Sequence, residues 1–515
     1  MPEDSIRPRP GVAERPLAER ALELADELAE SIGRRKVSTD LPTRIVHRFT
    51  HGPEALLHED LGDFLPALVV HPESTKDVEE ALRLANELLV PVVPQGGRTG
   101  TFGAEALKDC MVLDMCSMNR VLEFDEERHI ITAEAGIRII DFLAYIEERG
   151  YMSPEHPTMN RTSTLGARVA LHGYNKFFDA WGPSGHYVRA LEVVLPFNAR
   201  AVWLGEGSGV PHKSQVGLEL MPLFFGSKGA LGVITKVAEF FIDRPEAVRT
   251  GVMAFKDMES AIRAYIELRK RAKQGIWRTK SYNKWFISQA ASAFGLRWPE
   301  DVEQLVEFHV VGDRDLVELM EKKAYDICRR FGGFWRPDLP DPSFLRMHGR
   351  MELHMGLGAL WSDRLVNGGA ANKLVPFDPA LPDERLVPFF REFFPLLRKI
   401  EDGEHYPALA DCMRVLSPGA PVPAYYGWSK LAGRLLANWR KFDEEAREEF
   451  KAWYREFAEL VWRFGGTLTM THGFIPRDLR REFVVREVGE AQYRLMKMVK
   501  GLLDPNNIMN PQILP

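Results

Sequence analysis

Four glycines follow a short apolar run at a spacing suited to binding an anionic group. The run Val90–Val93 is predicted to be a β-strand, and it leads into the segment 94–103, Pro-Gln-Gly-Gly-Arg-Thr-Gly-Thr-Phe-Gly. Because glycine has no Cβ, its backbone N–H can approach a phosphate closely, and a diphosphate is the obvious ligand. The spacing matches neither the Rossmann fingerprint nor the P-loop. Taken alone, the segment fits a glycine-rich connecting loop equally well.

Two further segments of small residues lie between apolar runs. They are 163–166, Ser-Thr-Leu-Gly, and 226–235, Gly-Ser-Lys-Gly-Ala-Leu-Gly-Val-Ile-Thr. Small residues allow a flat ring or a diphosphate to lie against the backbone. Three such segments in one region indicate one long ligand that crosses all of them.

The elements that must position these segments form an α+β pattern from about Leu61 to Arg244, and a second block starts near Gly251. Helices are predicted over 17–32, 74–89, 139–148, 313–331 and 441–462. Strands are predicted over 67–70, 90–93, 111–115, 130–135, 188–195, 231–241 and 302–311. Residues 331–423, rich in Pro and Gly, are predicted to be irregular, and 465–515 to contain one more helix.

The composition is that of a globular protein and argues against nucleic-acid binding. The chain has 515 residues, of which 45% are hydrophobic and 27% charged, and its formal net charge is −6 without any block of Lys and Arg. The 4 cysteines form no CxxC pair, which gives no sign of a zinc ribbon or iron–sulfur site and fits a reducing, cytoplasmic compartment. No stretch predicts a secretory signal or a transmembrane helix, and peripheral membrane contact stays open.

Several stretches occur in the order in which one known family carries its motifs. These stretches are 68–78, 94–103, 113–122, 191–195, 225–237 and 503–511. The second resembles the family's P-x-G-G-G-T-G loop and the fourth its L-E-V-V-L strand. The fifth resembles its G-S-E-G-T-L-G-I-I-T-K-V element and the last its L-D-P-x-x-I-x-N-P ending. On these motifs the chain resembles the FAD-linked oxidase superfamily, which includes vanillyl-alcohol oxidase and p-cresol methylhydroxylase.

The resemblance implies an α+β fold in which a two-subdomain FAD-binding domain of the p-cresol methylhydroxylase type carries an α+β cap domain for the substrate. It divides the chain into an N-terminal helical extension at 1–60, the FAD-binding domain at 61–245 and the cap at 246–464. A C-terminal segment at 465–515 is expected to return to the flavin.

The resemblance also implies that FAD lies across the three small-residue segments. The implied cofactor-binding residues are Pro94, Gln95, Gly96, Gly97, Arg98, Thr99, Gly100, Thr158, Ser163, Thr164, Gly166, Lys228, Gly229, Ala230, Leu231, Gly232, Val233, Ile234 and Asn510.

Four positions depart from the family's pattern, and we interpret them as drift within a working site. Arg98 replaces the third loop glycine and could pair with the diphosphate or narrow the site, while Ala167 replaces another glycine. Lys228 replaces a common glutamate and Ala230 a threonine. Thr99 stands where some members link FAD covalently through a histidine, so non-covalent FAD is expected, with attachment through another residue left open.

For the chemistry, the resemblance points to His472 and Arg346. The segment 465–474 resembles the family's G-G-x-x-x-x-E-H-G-x element, with Thr471 in place of the glutamate. His472 would take a hydroxyl proton while hydride leaves the adjacent carbon for the flavin. Arg346, in the implied cap, would clamp a substrate carboxylate with its guanidinium fork. A structural role is the competing interpretation of each residue.

No metal site is expected. His348 and His354 would share a face only in a strand. The H-x-G-D-G-N-x-H element of the metal-using hydroxy-acid dehydrogenases in this superfamily is missing.

The leading function implied by the resemblance is oxidation of a small 2-hydroxy acid, such as lactate or glycolate, by hydride transfer to FAD. Three alternatives stay open: a phenolic alcohol oxidase, a non-redox enzyme like alkyl-dihydroxyacetonephosphate synthase, and a flavin-binding subunit without activity of its own. The electron acceptor and the oligomeric state, including a homo-oligomer, also stay open.

Overall fold

The fold is that of a computed structural model, which describes residues 4–50, 54–58, 60–100, 102–157, 161–175, 177–206, 216–284, 299–336, 376–399, 410–417, 420–426, 444–469, 473 and 475–514. The strands in these ranges are β1 Val37–Ser38, β2 Leu68–Val70, β3 Val92–Gln95, β4 Met111–Asp114, β5 Val121–Asp125, β6 Ile130–Glu134, β7 Tyr151–Met152, β8 Val188–Leu195, β9 Arg200–Gly205, β10 Val233–Phe240, β11 Ile242–Asp243, β12 Ala247–Phe255, β13 Ile276–Asn283, β14 Gln304–Gly312, β15 Pro376–Phe377, β16 Ala410–Ser417 and β17 Ala420–Tyr426.

The α-helices in the same ranges are α1 Leu17–Leu28, α2 Leu41–Val46, α3 Thr75–Leu88, α4 Ile139–Glu147, α5 Leu165–Leu171, α6 Phe178–Trp181, α7 Met258–Arg269, α8 Arg314–Arg330, α9 Leu386–Arg398, α10 Glu444–Arg463, α11 Arg480–Val488 and α12 Glu490–Leu503. Within the described residues, no helix is both long enough and apolar enough to cross a membrane.

The first sheet has the order β1-β2-β4-β3, in which β2, β4 and β3 are parallel. Its apolar residues form one core with α1 and α3. Helix α3 begins after Ser74, whose Oγ caps it by accepting a hydrogen bond of 3.2 Å from the Asp77 N–H. At the free edge of β3, Val92 N donates to the Ile508 carbonyl at 2.7 Å and Asn510 N donates to the Val92 carbonyl at 2.9 Å. A distant part of the chain therefore extends this sheet.

The second sheet is antiparallel and has the order β5-β6-β10-β8-β9. The apolar side chains of β6, β8 and β10 pack on α4 and α5 in a second core. The strands predicted over 130–135, 188–195 and 231–241 correspond to β6, β8 and β10, so this part of the α+β prediction is confirmed.

The third sheet, β12-β14-β13-β16-β17-β15, is also antiparallel and belongs to the second α+β block. One of its faces packs on α7 and α8 through residues such as Met253, Phe308, Val310, Leu268 and Met320. Because side chains alternate across a strand, the residues between these apolar positions point to the opposite face. Helices α9 and α10 form a separate aromatic core.

Two secondary-structure predictions are wrong. Residues 331–423 contain α9 and β16, and β17 begins there, although they were expected to be irregular. Prolines made these elements hard to predict. Pro395 lies inside α9, and Pro421 and Pro423 lie in β17. In the described pairs, the part of β17 that holds these two prolines is hydrogen-bonded to β16 on one side only. The end of the chain holds two helices rather than one, because Gly489, at φ +83°, separates α11 from α12.

Candidate cofactor and substrate site

The glycine loop 94–103 lies directly against the second small-residue segment. A Cβ at Gly97 would stand 1.6 Å from the Thr162 carbonyl oxygen, and one at Gly96 would stand 2.1 Å from Thr164 Oγ1. Both distances are far below van der Waals contact, so no other residue fits without moving the backbone at Gly97. The two glycines are therefore required by the close approach of two chain segments.

The second segment is fixed by the loop on one side and by the second sheet on the other. Thr99 Oγ1 and Ser163 Oγ are 2.8 Å apart and share a hydrogen bond. Gly166, in the first turn of α5, donates its N–H to the Ala135 carbonyl at 2.7 Å. The start of α5 is thus held between the glycine loop and the end of β6.

The third segment closes the same region from another direction. A Cβ at Gly229 would lie 3.0 Å from Pro94 Cδ, at the start of the loop. Asn510 Nδ2 donates to the carbonyls of Gly103 and Lys228, each at 2.7 Å. The following residues are buried on the way into β10: Ala230, Leu231, Gly232, Val233 and Ile234. We call the assembly of 94–103, 161–166, 226–234 and Asn510 the cradle.

Arg98 has a backbone conformation that a glycine would adopt more easily. Its φ is +54°, in the left-handed region, which costs a non-glycine residue roughly 1–2 kcal/mol. This explains why a glycine is common at that position in the resembled loop. The Arg98 side chain leaves the loop, and its Nη1 lies 2.6 Å from His47 Nδ1.

The cradle has the properties that a dinucleotide cofactor needs. Thr164 Oγ1, within the cradle, and His172 Nε2, beside it, are buried without a hydrogen-bond partner among the described residues. Lys228 supplies a positive charge at the third segment, where its Nζ donates to the Gly226 carbonyl at 3.3 Å. Buried polar atoms that can donate, a cation and closely packed glycine backbone fit FAD with its diphosphate.

Burial changes the protonation of two bases beside the cradle. It lowers the pKa of Lys228 to about 8, with help from the nearby Arg480 charge. It also lowers the pKa of His172 to about 4, and the charges of His186 and Lys228 act in the same direction. His172 is therefore neutral at physiological pH, and Lys228 can release its proton in mildly alkaline solution.

A second group of polar residues lies on the face of the third sheet that points away from α7 and α8. In the pairing of β13 with β14, Arg278 is opposite His309 and Lys280 is opposite Glu307. All four are buried, with Arg278, Lys280 and Glu307 each only 1% exposed. We call these residues, with Tyr282, the cap face. The cap face thus places two cations and a histidine beside the Glu307 carboxylate.

Glu307 organises the cap face. Its carboxylate bonds to His309 Nε2 and accepts a 2.8 Å hydrogen bond from the Tyr282 hydroxyl. Burial opposes ionisation, but the charges of Arg278 and His309 outweigh it and lower the pKa of Glu307 well below its ordinary value. A fixed carboxylate on one ring nitrogen orients the His309 ring.

Asp179 links the chain after the second small-residue segment to the cap sheet. It lies in α6, and its Oδ2 accepts a 2.8 Å hydrogen bond from the Thr279 N–H in β13. Burial raises its pKa to about 7, although Arg269, Arg278 and Lys280 oppose this. The segment that follows the cradle therefore packs directly on the cap sheet.

Not every predicted site residue is among those that the structure describes. His472, Thr471, Arg346, Thr158 and the pair His348 and His354 lie outside the described residues. The neighbour of His472 is described: a Cβ at Gly473 would lie 3.6 Å from both Lys228 Cε and Phe102 Cδ1. The other predicted cofactor residues come together in the cradle, but Gln95 points away and bonds to the His47 and Ala104 carbonyls at 2.9 and 2.7 Å.

The cap face was not recognised in the sequence analysis. Its signal is an alternation of charged residues in two strands, with Arg278 and Lys280 in β13 and with Glu307 and His309 in β14. Such alternation is typical of a strand with one solvated face. Only the fold shows that this face is covered.

Two family models match this chain, one at the cradle and one at the C-terminal end. The family described as FAD binding domain matches residues 66–205, and the C-terminal domain of FAD linked oxidases matches residues 436–513. Among curated proteins, the chain is 26% identical to a D-lactate dehydrogenase from Anaerostipes hadrus, covering 90% of this chain and 91% of that protein. It is 22% identical to glycolate oxidase subunit GlcD from Bacillus subtilis, covering 87% and 88%.

Among solved structures, p-cresol methylhydroxylase with bound substrate has the same fold. The TM-score is 0.75 at 15% identity, and the match covers 96% of this chain and 97% of that chain. The fold is therefore of the p-cresol methylhydroxylase type, and the chain contains an FAD-binding domain and a C-terminal domain that match those of FAD linked oxidases, with FAD as the cofactor.

Proposed function

We propose that this protein oxidises a small 2-hydroxy acid, such as lactate or glycolate, to the 2-oxo acid. The observation that carries the proposal is the pair of buried cations, Arg278 and Lys280, on the cap face. The names of the relatives, a D-lactate dehydrogenase and a glycolate oxidase subunit, point to the same substrate class. FAD, when bound, supplies the acceptor for the hydride that leaves the substrate carbon.

The cap face is suited to a substrate carboxylate. A guanidinium recognises a carboxylate through two parallel hydrogen bonds, and a neighbouring ammonium adds a second attractive charge. Arg278 and Lys280 provide this pair of cations at a site that is withdrawn from water. A phenolic alcohol carries no carboxylate, so the same two cations favour the hydroxy acid over a phenol.

The remaining roles belong to this proposal as well. The cradle residues would bind FAD without a covalent link, Lys228 would face its diphosphate, and His472 would take the hydroxyl proton. Arg346 would act with Arg278 on the carboxylate. In this proposal the flavin domain ends near residue 245, the cap near 464, and the protein works in the cytoplasm, as its sparse cysteines favour.

The test is an anaerobic absorption experiment on the purified, FAD-loaded chain. D-lactate, L-lactate, glycolate and vanillyl alcohol are added in turn while the flavin band near its visible maximum is followed. Bleaching by a lactate or by glycolate supports the proposal. Bleaching by vanillyl alcohol alone would replace it with the phenolic alternative, and a band that persists with all four compounds would overturn oxidation of these substrates.

A further inference from the structure

Three side chains that commonly bind metals meet where β2 and β4 end. His71 follows β2 directly, and Asp114 is the last residue of β4. These strands are parallel, and Val70 pairs with Leu113, so the residues just beyond that pair lie side by side. His47 reaches the same place from the turn after α2.

The three donor atoms already have nearly the spacing of ligands around one ion. Asp114 Oδ2 is 3.4 Å from His71 Nδ1 and 3.7 Å from His47 Nε2. One ligand atom from each of the three residues lies within 4.8 Å of the other two. Bonds of about 2.0–2.1 Å to a tetrahedral ion place two ligand atoms about 3.3–3.5 Å apart. Small rotations of the side chains would suffice to share an ion.

We propose that His47, His71 and Asp114 bind a divalent transition-metal ion of the zinc class. Two imidazoles and one carboxylate suit Zn²⁺ better than Mg²⁺ or Ca²⁺, which prefer oxygen ligands throughout. The fourth position would hold water, because the His71 side chain is 32% exposed while those of His47 and Asp114 are 7% and 15% exposed.

The surroundings of His47 connect the ion to the glycine loop. Its Nδ1 lies 2.9 Å from Gln95 Oε1 and 2.6 Å from Arg98 Nη1, and one nitrogen cannot donate to the first while accepting from the second. A metal on Nε2 keeps the proton on Nδ1, which then donates to Gln95, as the second nitrogen of a metal-bound histidine usually does. Arg98 loses its acceptor and becomes available to the loop, where it would attract the FAD diphosphate.

The experiment uses the full chain, treated with a chelator and then titrated with Zn²⁺ alone by calorimetry, with the bound metal counted by emission spectroscopy. We expect one equivalent with micromolar or tighter affinity. His71→Asn should weaken binding at least 100-fold. His129→Asn is the matched control, because the His129 side chain is 38% exposed and also lies beside an aspartate, Asp243. This variant should bind Zn²⁺ like the parent.

Three outcomes decide the proposal. No stoichiometric binding by the parent overturns it, and so does equal binding by His71→Asn. A Co²⁺-loaded parent with the visible bands of a tetrahedral site, lost in His71→Asn, supports it independently of activity.

A second experiment tests the coupling through Arg98. Zn²⁺ should tighten FAD binding several-fold in the parent but not in Arg98→Met, and an equal effect in both would refute the step through Arg98. Near-ultraviolet circular dichroism verifies that each variant is folded.

Discussion

The cradle and the cap face are built on opposite principles. The cradle is made of backbone and small side chains, and its shape depends on contacts such as that of Gly97 with Thr162. The cap face is made of long charged side chains on two strands, and its properties depend on burial and mutual charge. In our proposal, cofactor binding therefore depends on chain geometry, whereas substrate selection depends on electrostatics.

The largest effect should come from breaking the geometry of the cradle. Gly97→Ala places a methyl group where the Thr162 carbonyl stands, so the loop or its neighbour must move. We expect the purified variant to retain less than a tenth of the parent's FAD, measured by absorbance after release of the flavin. Gly501→Ala is the control, because a Cβ there meets nothing within 4 Å. Normal FAD content in Gly97→Ala would contradict this expectation, because it would show that the loop can move away from the Thr162 carbonyl and still bind FAD.

A smaller and more selective effect should come from the cap face. Arg278→Ala should leave FAD content unchanged but raise the substrate concentration for half-maximal flavin reduction about 10–100-fold, since a charge-assisted hydrogen bond contributes about 1.5–3 kcal/mol. The control is Arg249→Ala, which removes an exposed arginine from β12 of the same sheet. Equal kinetics for both variants would contradict a substrate role for the cap face. Loss of FAD in Arg278→Ala would show that the cap face also affects cofactor binding, which we assign to the cradle.

The smallest effect concerns Asp179, which is hydrogen-bonded to β13 next to the cap face. Its pKa is about 7 in the folded protein and near 4 in the unfolded chain, so the folded state binds the extra proton and stability falls as pH rises from about 4 to 7. Asp179→Asn removes this loss and keeps an oxygen that can accept from the Thr279 N–H. We expect the variant to be more stable than the parent by roughly 1–3 kcal/mol at pH 8 and by much less at pH 4.5.

Urea unfolding at the two pH values measures this difference. Asp243→Asn, which replaces an exposed aspartate, is the control. Its effect on the free energy of unfolding should not depend on pH in a comparable way. A stability gain in Asp179→Asn that is the same at both pH values would mean that the carboxyl group is ionised in the folded protein throughout.

The same contrast explains how far the sequence was informative. Gly96 and Gly97 could be predicted because a close approach of two chain segments favours glycine, and Asn510 because the C-terminal motif resembles that of a known family. Arg278 and Lys280 could not, because an alternating charged strand has the same pattern whether water or another part of the protein covers its polar face. The position of Arg98 was recognised, but its contact with His47 depends on a distance that no local pattern encodes.

The hydrogen bonds of Asn510 to the glycine loop also set an order of events during biosynthesis. Gly103 and Asn510 are separated by 407 residues, so a ribosome that adds about 5–20 residues per second needs roughly 20–80 s to make the second after the first. Throughout this interval the edge of β3 lacks its partner at residues 508–510, and an uncovered strand edge invites pairing with other chains. Cofactor loading is therefore expected to follow translation of almost the whole chain, and a nascent chain stalled before residue 508 should depend on chaperones.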